Sequence, residues 1–309
     1  MTTGGAPRAV PFVKDFEFSY GVPAALSPLI RRVIAQNPGP FTFTGSGTYI
    51  LGREGGQDLA VIDPGPNDPP HLDAIMRAIG RGKASRVFVT HTHSDHCGGA
   101  RAFATAAGAP IYAFGPHPEK DPVHAAPALD EGADFSFAPD RTIADGDLFE
   151  GEGWTLEAVA TPGHLSNHFC FALQEEKALF TGDHIMGWST TVVAPPEGHM
   201  GQYLDSLEKL LARDDRIYYP THGAPVTDPQ RFVRAIRAHR RLRDGQILDQ
   251  LARGRARIAD LVPAIYSDID KRLHGAAALN VFAHLIRLVE IGAVATDGAP
   301  TMRSAYRLA

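Results

Sequence analysis

Short apolar runs that stop at a threonine recur along this chain. Residues 87–89 end at Thr90, residues 155–160 at Thr161, residues 178–180 at Thr181, and residues 216–219 just before Thr221. Runs of this length, rich in β-branched and aromatic residues and closed by turn chemistry, read as buried strands. Residues 41–63 read as strand, turn, strand: FTFTGSGTYILG, a Gly-rich tip, then LAVID. Between these strands the period lengthens. Residues 72–79, after the turn NDPP, and residues 100–107 read as helices, and residues 111–114 as a further strand. Residues 203–212 form an amphipathic helix with Leu204, Leu207, Leu210 and Leu211 on one side. Residues 24–35 read as a short helix, and residues 115–147 as loop-rich.

The pattern changes near Pro225. A long helix is expected over residues 230–252, broken or bent near Gly245, then a second over 257–273 with a kink at Pro263. A strongly apolar third helix spans 276–291, with Leu279, Phe282, Leu285 and Val289 at helical spacing. Residues 293–296, the turn DGAP and residues 304–308 make a small hairpin. Charge changes at the same place. Residues 1–228 carry 16 Lys and Arg against 28 Asp and Glu, a net of −12; residues 229–309 carry 14 against 7, a net of +7, and the two sum to the chain's −5. The division predicts two domains, 1–228 and 229–309, and an anionic partner for the second.

Composition excludes several classes. At 44% hydrophobic and 21% charged residues the chain has the make-up of a globular protein. The opening MTTGGAPRAVPFVKDF lacks an apolar core of signal-peptide length, and no apolar run approaches the ~20 residues of a membrane span. Two cysteines, Cys97 and Cys170, rule out a disulfide framework. A cytoplasmic protein without membrane contact, monomeric or homodimeric, is the expectation.

Candidate chemistry is densest in RVFVTHTHSDHCGGA, residues 86–100, where His91, His93, Asp95 and His96 follow a strand within six residues. Imidazole and carboxylate are the groups that bind Zn²⁺ at neutral pH. Three more strand ends carry the same residue types: His164 in VATPGH, Asp183 in LFTGD and His222 in IYYPTH. If these ends share one sheet edge, the seven side chains converge, and the preceding threonines can orient them by hydrogen bonding.

The ordered series THTHSDH, TPGH, GD and THG resembles the metallo-β-lactamase superfamily in its two-metal, glyoxalase-like arrangement, over roughly residues 40 to 225. The resemblance implies an αββα sandwich and metal-assisted hydrolysis in which two cations share a bridging hydroxide. By the same resemblance His91, His93 and His164 hold one metal, Asp95, His96 and His222 hold the second, and Asp183 bridges both. Asp63 in VIDPG would support the site from behind, and His168 in HLSNH would be structural. The three helices and hairpin at the C-terminus resemble a winged helix. That combination, with GDHIMGWSTTV and PTHG, is similar to the β-lactamase-like-protein-2 family, which includes an endoribonuclease of single-stranded RNA.

Other residues carry two readings each. His184 is either a proton shuttle or a hydrogen-bonded neighbour of Asp183, and Asp95 can also handle a proton. Ser189, Thr190 and Thr191 either contact a substrate phosphate or close a turn. Trp188 and Tyr203 either stack a base or pack. His199 sits in the loop APPEGHM, which could cover the site, and Cys97 reads as a small buried residue. Zn²⁺ is the expected metal, with Fe and Mn compatible with the same ligands. The leading substrate is single-stranded RNA, met by an arginine stripe at Arg234, Arg237 and Arg241. The alternative is a carbonyl hydrolase of a thioester or lactone. A nucleic-acid-binding protein with structural metals is the third reading.

Overall fold

The computed structural model describes residues 9–117, 132–267 and 270–309; the first eight residues and residues 118–131 of the loop-rich stretch lie outside the described residues. The first half is a mixed sheet with helices on one side. In chain order it comprises β1 (Ala24–Ala25), β2 (Ile30–Ile34), β3 (Gly47–Leu51), β4 (Leu59–Ile62), α1 (Pro69–Ile79), β5 (Ala84–Phe88), α2 (Ser94–Cys97), α3 (Ala100–Ala107), β6 (Ile111–Ala113) and β7 (Arg141–Thr142). The second half supplies β8 (Leu148–Gly151), β9 (Trp154–Ala160), β10 (Phe169–Leu173), β11 (Ala178–Gly182), α4 (Met200–Leu211) and β12 (Ile217–Pro220). Strands β1 to β7 lie in sequence order in a seven-stranded sheet, and β12-β11-β10-β9-β8 form a five-stranded one.

The layers follow from side-chain parity. Successive residues of a strand face opposite sides. In β3 and β4, Tyr49, Leu51, Ala60 and Ile62 turn to the space between the sheets, while Ile50, Leu59 and Val61 turn to α1 and α3. In β10, Phe169, Phe171 and Leu173 face the same inter-sheet space, and Cys170 and Ala172 face α4. Rings fill the centre: Phe88 lies 5.0 Å from Phe149 and 5.2 Å from Phe171. Two sheets packed face to face, each with helices outside, make the αββα sandwich.

The expected helix over residues 24–35 is instead strand. Ile30, Val33 and Ile34 do fall at helical spacing, but β2 pairs along its length with β3. The two arginines between them find carbonyl partners there, Arg31 at Ala78 and Arg32 at Gly223. Burial on both faces of a paired strand outweighs a local period.

The C-terminal region is α5 (Pro229–Ala252), α6 (Ile258–Ile265), a 3₁₀ turn at Lys271–Leu273, α7 (His274–Glu290), β13 (Val294–Thr296) and β14 (Tyr306–Leu308). Helix α5 runs unbroken through Gly245, where a side chain would meet nothing within 4 Å. The helix expected to reach residue 273 stops at Ile265, two residues after Pro263, whose ring removes a backbone donor. Helix α5 belongs to two cores. Phe232, Val233 and Ile236 pack with α4 and β12, whereas Ile247 and Leu251 pack with α6, α7 and the hairpin. No described helix is long and apolar enough to cross a membrane.

Candidate metal centre

The loops that leave β4, β5, β9, β11 and β12 meet at one edge of the sandwich. Three groups of potential ligand atoms lie within 4.8 Å of one another: His91, His93 and His164; His91, His96 and Asp183; and Asp95, His96 and His222. Asp183 stands between the outer groups, with Oδ1 3.3 Å from His222 and 3.5 Å from His96 and Oδ2 3.9 Å from His164. All seven side chains singled out from the sequence are therefore in one place.

Their outward atoms are held and their inward atoms are not. Asp63 accepts from the Thr90 amide at 2.8 Å and the Thr90 hydroxyl at 2.7 Å. It also faces the His96 Nδ1–H at 2.8 Å and the Thr221 hydroxyl at 3.3 Å. The Thr90 hydroxyl, having donated to Asp63, accepts from His91 Nδ1 at 3.0 Å. His164 Nδ1 donates to the Val192 carbonyl at 2.6 Å, and His222 Nδ1 to the Gly45 carbonyl at 3.2 Å. Each of these partners holds Nδ1 and aims Nε2 inward, so that the neutral ring takes the tautomer with its lone pair at Nε2. Ser46 donates to Asp95 at 2.8 Å.

The residues present fit a pair of divalent cations. His96 Nε2, His222 Nε2, Asp95 Oδ1 and Asp183 Oδ1 are buried with no hydrogen-bond partner. His93 Nδ1 lies 3.0 Å from His91 Nε2 and 3.1 Å from His164 Nε2, so lone pairs converge with nothing but a cation to satisfy all of them. Burial, reinforced by neighbouring imidazoles, holds His91 well below the ordinary histidine range and pushes His93 down to about 3. Both are then neutral, as ligands must be. At His222 burial also disfavours charge, but Asp183 and Asp95 outweigh it and push the ring up to about 10. His96 is raised in the same way by Asp95, Asp183 and Asp63 against its burial. The carboxylate half thus holds protons that a cation would displace.

Backbone geometry supports this edge. Asp63 adopts φ 49°, a left-handed conformation that Asp tolerates better than most residues. Gly182 also has a positive φ of 49°, and a Cβ there would stand 2.6 Å from His168 Nε2 and 2.9 Å from Thr90. His168 is buried; Thr161 bonds its Nδ1 at 2.9 Å, and its Nε2 accepts the Asp183 amide at 3.2 Å. It holds the chain of Asp183 and adds no inward atom.

Other candidates separate. Ser189 and Thr190 line a slot with Pro40, Phe41, Met186, Trp188 and Val192 that reaches His164 and Asp183. Trp188 stacks on Phe43 at 4.6 Å. Thr191 and Tyr203 are buried and spend their hydroxyls on the protein. Thr191 shares its one hydroxyl hydrogen between the Asp183 and His184 carbonyls, at 2.8 and 2.9 Å, and Tyr203 donates to the His184 carbonyl at 3.1 Å. Neither is placed to meet a substrate. His184 is not brought among the convergent atoms. Its ring lies 4.7 Å from Tyr203 and 5.9 Å from His168, neither nitrogen has a partner, and burial drives it down to about 3. Cys97 belongs to the core beneath α1, where burial raises its thiol. His199 caps α4 and faces Glu290 at 2.9 Å.

Sequence reasoning missed Ser46, the Gly45 and Val192 carbonyls, and the pair His117–Glu197, whose carboxylate lies 3.4 Å from His117 and 4.0 Å from His93 Nε2. Carbonyls have no residue-type signal. Glu197 had one, as the acid in the Pro-Gly loop.

A sandwich of this kind with a buried His and Asp centre at its edge is a metallohydrolase scaffold. Residues 42–222 match the family model of the metallo-beta-lactamase superfamily, and residues 258–302 that of the beta-lactamase associated winged helix domain. The chain belongs to the metallo-beta-lactamase superfamily and is a hydrolase of it, with a C-terminal winged helix. It is 33% identical over 298 residues to an atrochrysone carboxyl ACP thioesterase of Aspergillus novofumigatus, covering 91% of this chain and 84% of that one. It is 32% identical to an atrochrysone carboxyl ACP thioesterase of Aspergillus fumigatus, covering 94% and 89%. Among solved structures, a beta-lactamase domain protein from Burkholderia ambifaria superposes with a TM-score of 0.77 at 19% identity, over 96% of both chains. A metallo-beta-lactamase family protein from Thermus thermophilus does so with 0.71 at 22%, over 92% and 100%. These two share the fold.

Proposed function

We propose that this protein hydrolyses a thioester, with an acyl group delivered on an acyl carrier protein as the substrate class. The observation that carries the reading is the similarity to named carrier-protein thioesterases across both domains. The slot supports it: the residues lining it include no lysine or arginine, and Pro40, Phe41, Met186, Trp188 and Val192 give it an apolar and aromatic side alongside the polar Ser189, Thr190, His164 and Asp183. Such a slot suits an acyl chain and offers a phosphate backbone no lysine or arginine. Single-stranded RNA, the leading substrate from sequence, loses its main support for a second reason. Arg237 and Arg241 face Glu208 of α4 at 2.6 and 3.4 Å, and Arg234 donates to Gln230 at 3.2 Å. The stripe lies against the acidic domain.

In this reading His91, His93 and His164 would hold one ion, Asp95, His96 and His222 the other, and Asp183 would be available to both. Zn²⁺ suits the ligands, as do Fe and Mn. When bound, the ions lower the pKa of water and polarise the thioester carbonyl. The protein's own part is positional. The slot seats the acyl group and keeps bulk water from it. Asp63, Val192 and Gly45 hold His96, His164 and His222 in the ligand tautomer. Ser46 steadies Asp95 for its part in holding the second ion. Water adds to the carbonyl carbon, the C–S bond breaks, and the products are a carboxylic acid and a thiol.

The test is a substrate panel on protein of known metal content: an aromatic acyl thioester of N-acetylcysteamine, a lactone and a single-stranded RNA. Thiol release is expected from the thioester, with no RNA cleavage. RNA cut at a salt concentration where the thioester survives would refute the reading.

A further inference from the structure

Helix α5 turns one arginine inward. Arg240 is 1% exposed, beside the outward stripe residues Arg237 and Arg241. Its guanidinium lies 5.1 Å over the Tyr203 ring and donates to the Thr191 carbonyl, while its Nε has no hydrogen-bond partner. The peptide it grips is a junction. The Thr191 hydroxyl ties the carbonyls of Asp183 and His184, and the next carbonyl, that of Val192, accepts from His164 Nδ1. One guanidinium therefore holds the two-residue segment on which both Asp183 and His164 lean.

We propose that Arg240 is a positioning residue of the metal centre: through Thr191 and Val192 it fixes Asp183 and His164 from a helix shared with the C-terminal module. The inference rests on reading those two residues as ligands, and is independent of which substrate is cleaved. The competing account is that Arg240 only fills space. A buried guanidinium is a poor way to do that, because desolvating the charge is costly and an apolar side chain of similar length is often as stable or more so. The cost makes sense where a fixed carbonyl is what the site needs, since the Val192 carbonyl selects the His164 tautomer that binds metal.

The full chain is compared as wild type, Arg240→Met, Arg240→Lys and Thr191→Val, with Arg241→Met as the exposed neighbour. Zinc affinity is read by competition with a chromogenic chelator, alongside thermal melting of the metal-free protein and kcat and KM for the thioester. Arg240→Met is expected to melt near the wild type yet bind zinc about 10–100-fold more weakly, with kcat reduced and KM little changed. Arg240→Lys recovers part of the affinity, Thr191→Val loses it in the same direction, and Arg241→Met binds as wild type. Unchanged zinc affinity in folded Arg240→Met overturns the proposal, as does a lowered metal-free melting temperature with zinc affinity intact. Should Arg240→Met fail to fold, Thr191→Val with wild-type zinc affinity overturns it instead. A wild-type chain that takes up no zinc, iron or manganese would show that the ligand reading itself has failed.

Discussion

The ligand loops and helix α5 each present polar residues at regular intervals, and only the first set does what its spacing suggests. His91, His93, Asp95, His96, His164, Asp183 and His222 all converge, although they come from strand ends far apart in sequence. Arg234, Arg237 and Arg241 also share a face, but two of them face Glu208, while Arg240, with no place in the stripe, reaches the loop behind the candidate centre. A strand end that emerges at a sheet edge has a destination set by topology. A helix face has two possible neighbours, solvent or protein, and charge alone does not choose between them.

The comparison breaks hardest at Asp183. Its carboxylate borders both groups of ligands, so Asp183→Ala should cost each of them a contact. Activity is expected to fall by at least ~10³-fold, several kcal/mol of lost charge stabilisation, and metal analysis should find less than the wild-type content in a protein that still folds. Full metal occupancy with wild-type turnover in this variant would remove the metal reading.

Gly182→Ala tests the support one residue earlier. Its positive φ and the 2.6 Å approach to His168 leave no room for a methyl group. Strain of about 1–3 kcal/mol is expected, with displacement of His168 from the Asp183 amide and a ~10–100-fold loss of metal affinity. A melting temperature and zinc affinity equal to wild type would show that this edge is looser than its contacts imply.

What was legible in the sequence follows the same division. Strands β5, β9, β11 and β12 were legible because most of their residues fill the cores on the two faces of the sheets, so each run is mainly apolar, with Ser85, Arg86, Thr155 and Glu157 as exceptions, and stops where it leaves the sheet. The ligands stand just past those stops. Residues 30–34 misled because Arg31 and Arg32 look solvent-facing until the carbonyls of Ala78 and Gly223 are seen opposite them. For Thr191 and Tyr203 the sequence left two readings each, and the structure places them on the packing side: their hydroxyls serve the backbone carbonyls of the Asp183 loop. The supports at Val192 and Gly45 are main-chain atoms, and no residue type announces them.

His184 offers a smaller effect. Its ring nitrogens touch nothing polar, and its carbonyl, not its side chain, is what Tyr203 and Thr191 hold. A buried ring driven down to about 3 stays neutral through the working pH range and is no imidazolium acid. His184→Phe keeps the ring and the carbonyl, so kcat should stay within about threefold of wild type. A loss of ~10²–10⁴-fold with metal intact is what a general acid would give, and would return His184 to the proton path.

The smallest effect belongs to the stripe. Arg237 and Arg241 share one carboxylate, Glu208, on the neighbouring helix, and Arg234 bonds within its own helix. Exposed pairs of this kind contribute roughly 0–1 kcal/mol each, because water screens them and ordering long side chains offsets the attraction. Replacing all three arginines by glutamine should therefore lower the melting temperature slightly and leave thioester turnover and zinc content unchanged. The RNA reading expects something different of the same variant. If each arginine neutralised a phosphate, the slope of log binding constant against log salt would flatten by roughly 2 for a single strand, at ~0.7 per phosphate. Titration of a labelled single-stranded RNA at several salt concentrations separates the two. A steep slope in wild type that flattens in the variant, with RNA cleaved, would make α5 a nucleic-acid face after all, and the contrast between the two regions would disappear. Equal, weak binding by both proteins with unaltered thioester turnover leaves Arg240 as the helix's one arginine with a part in the proposed site.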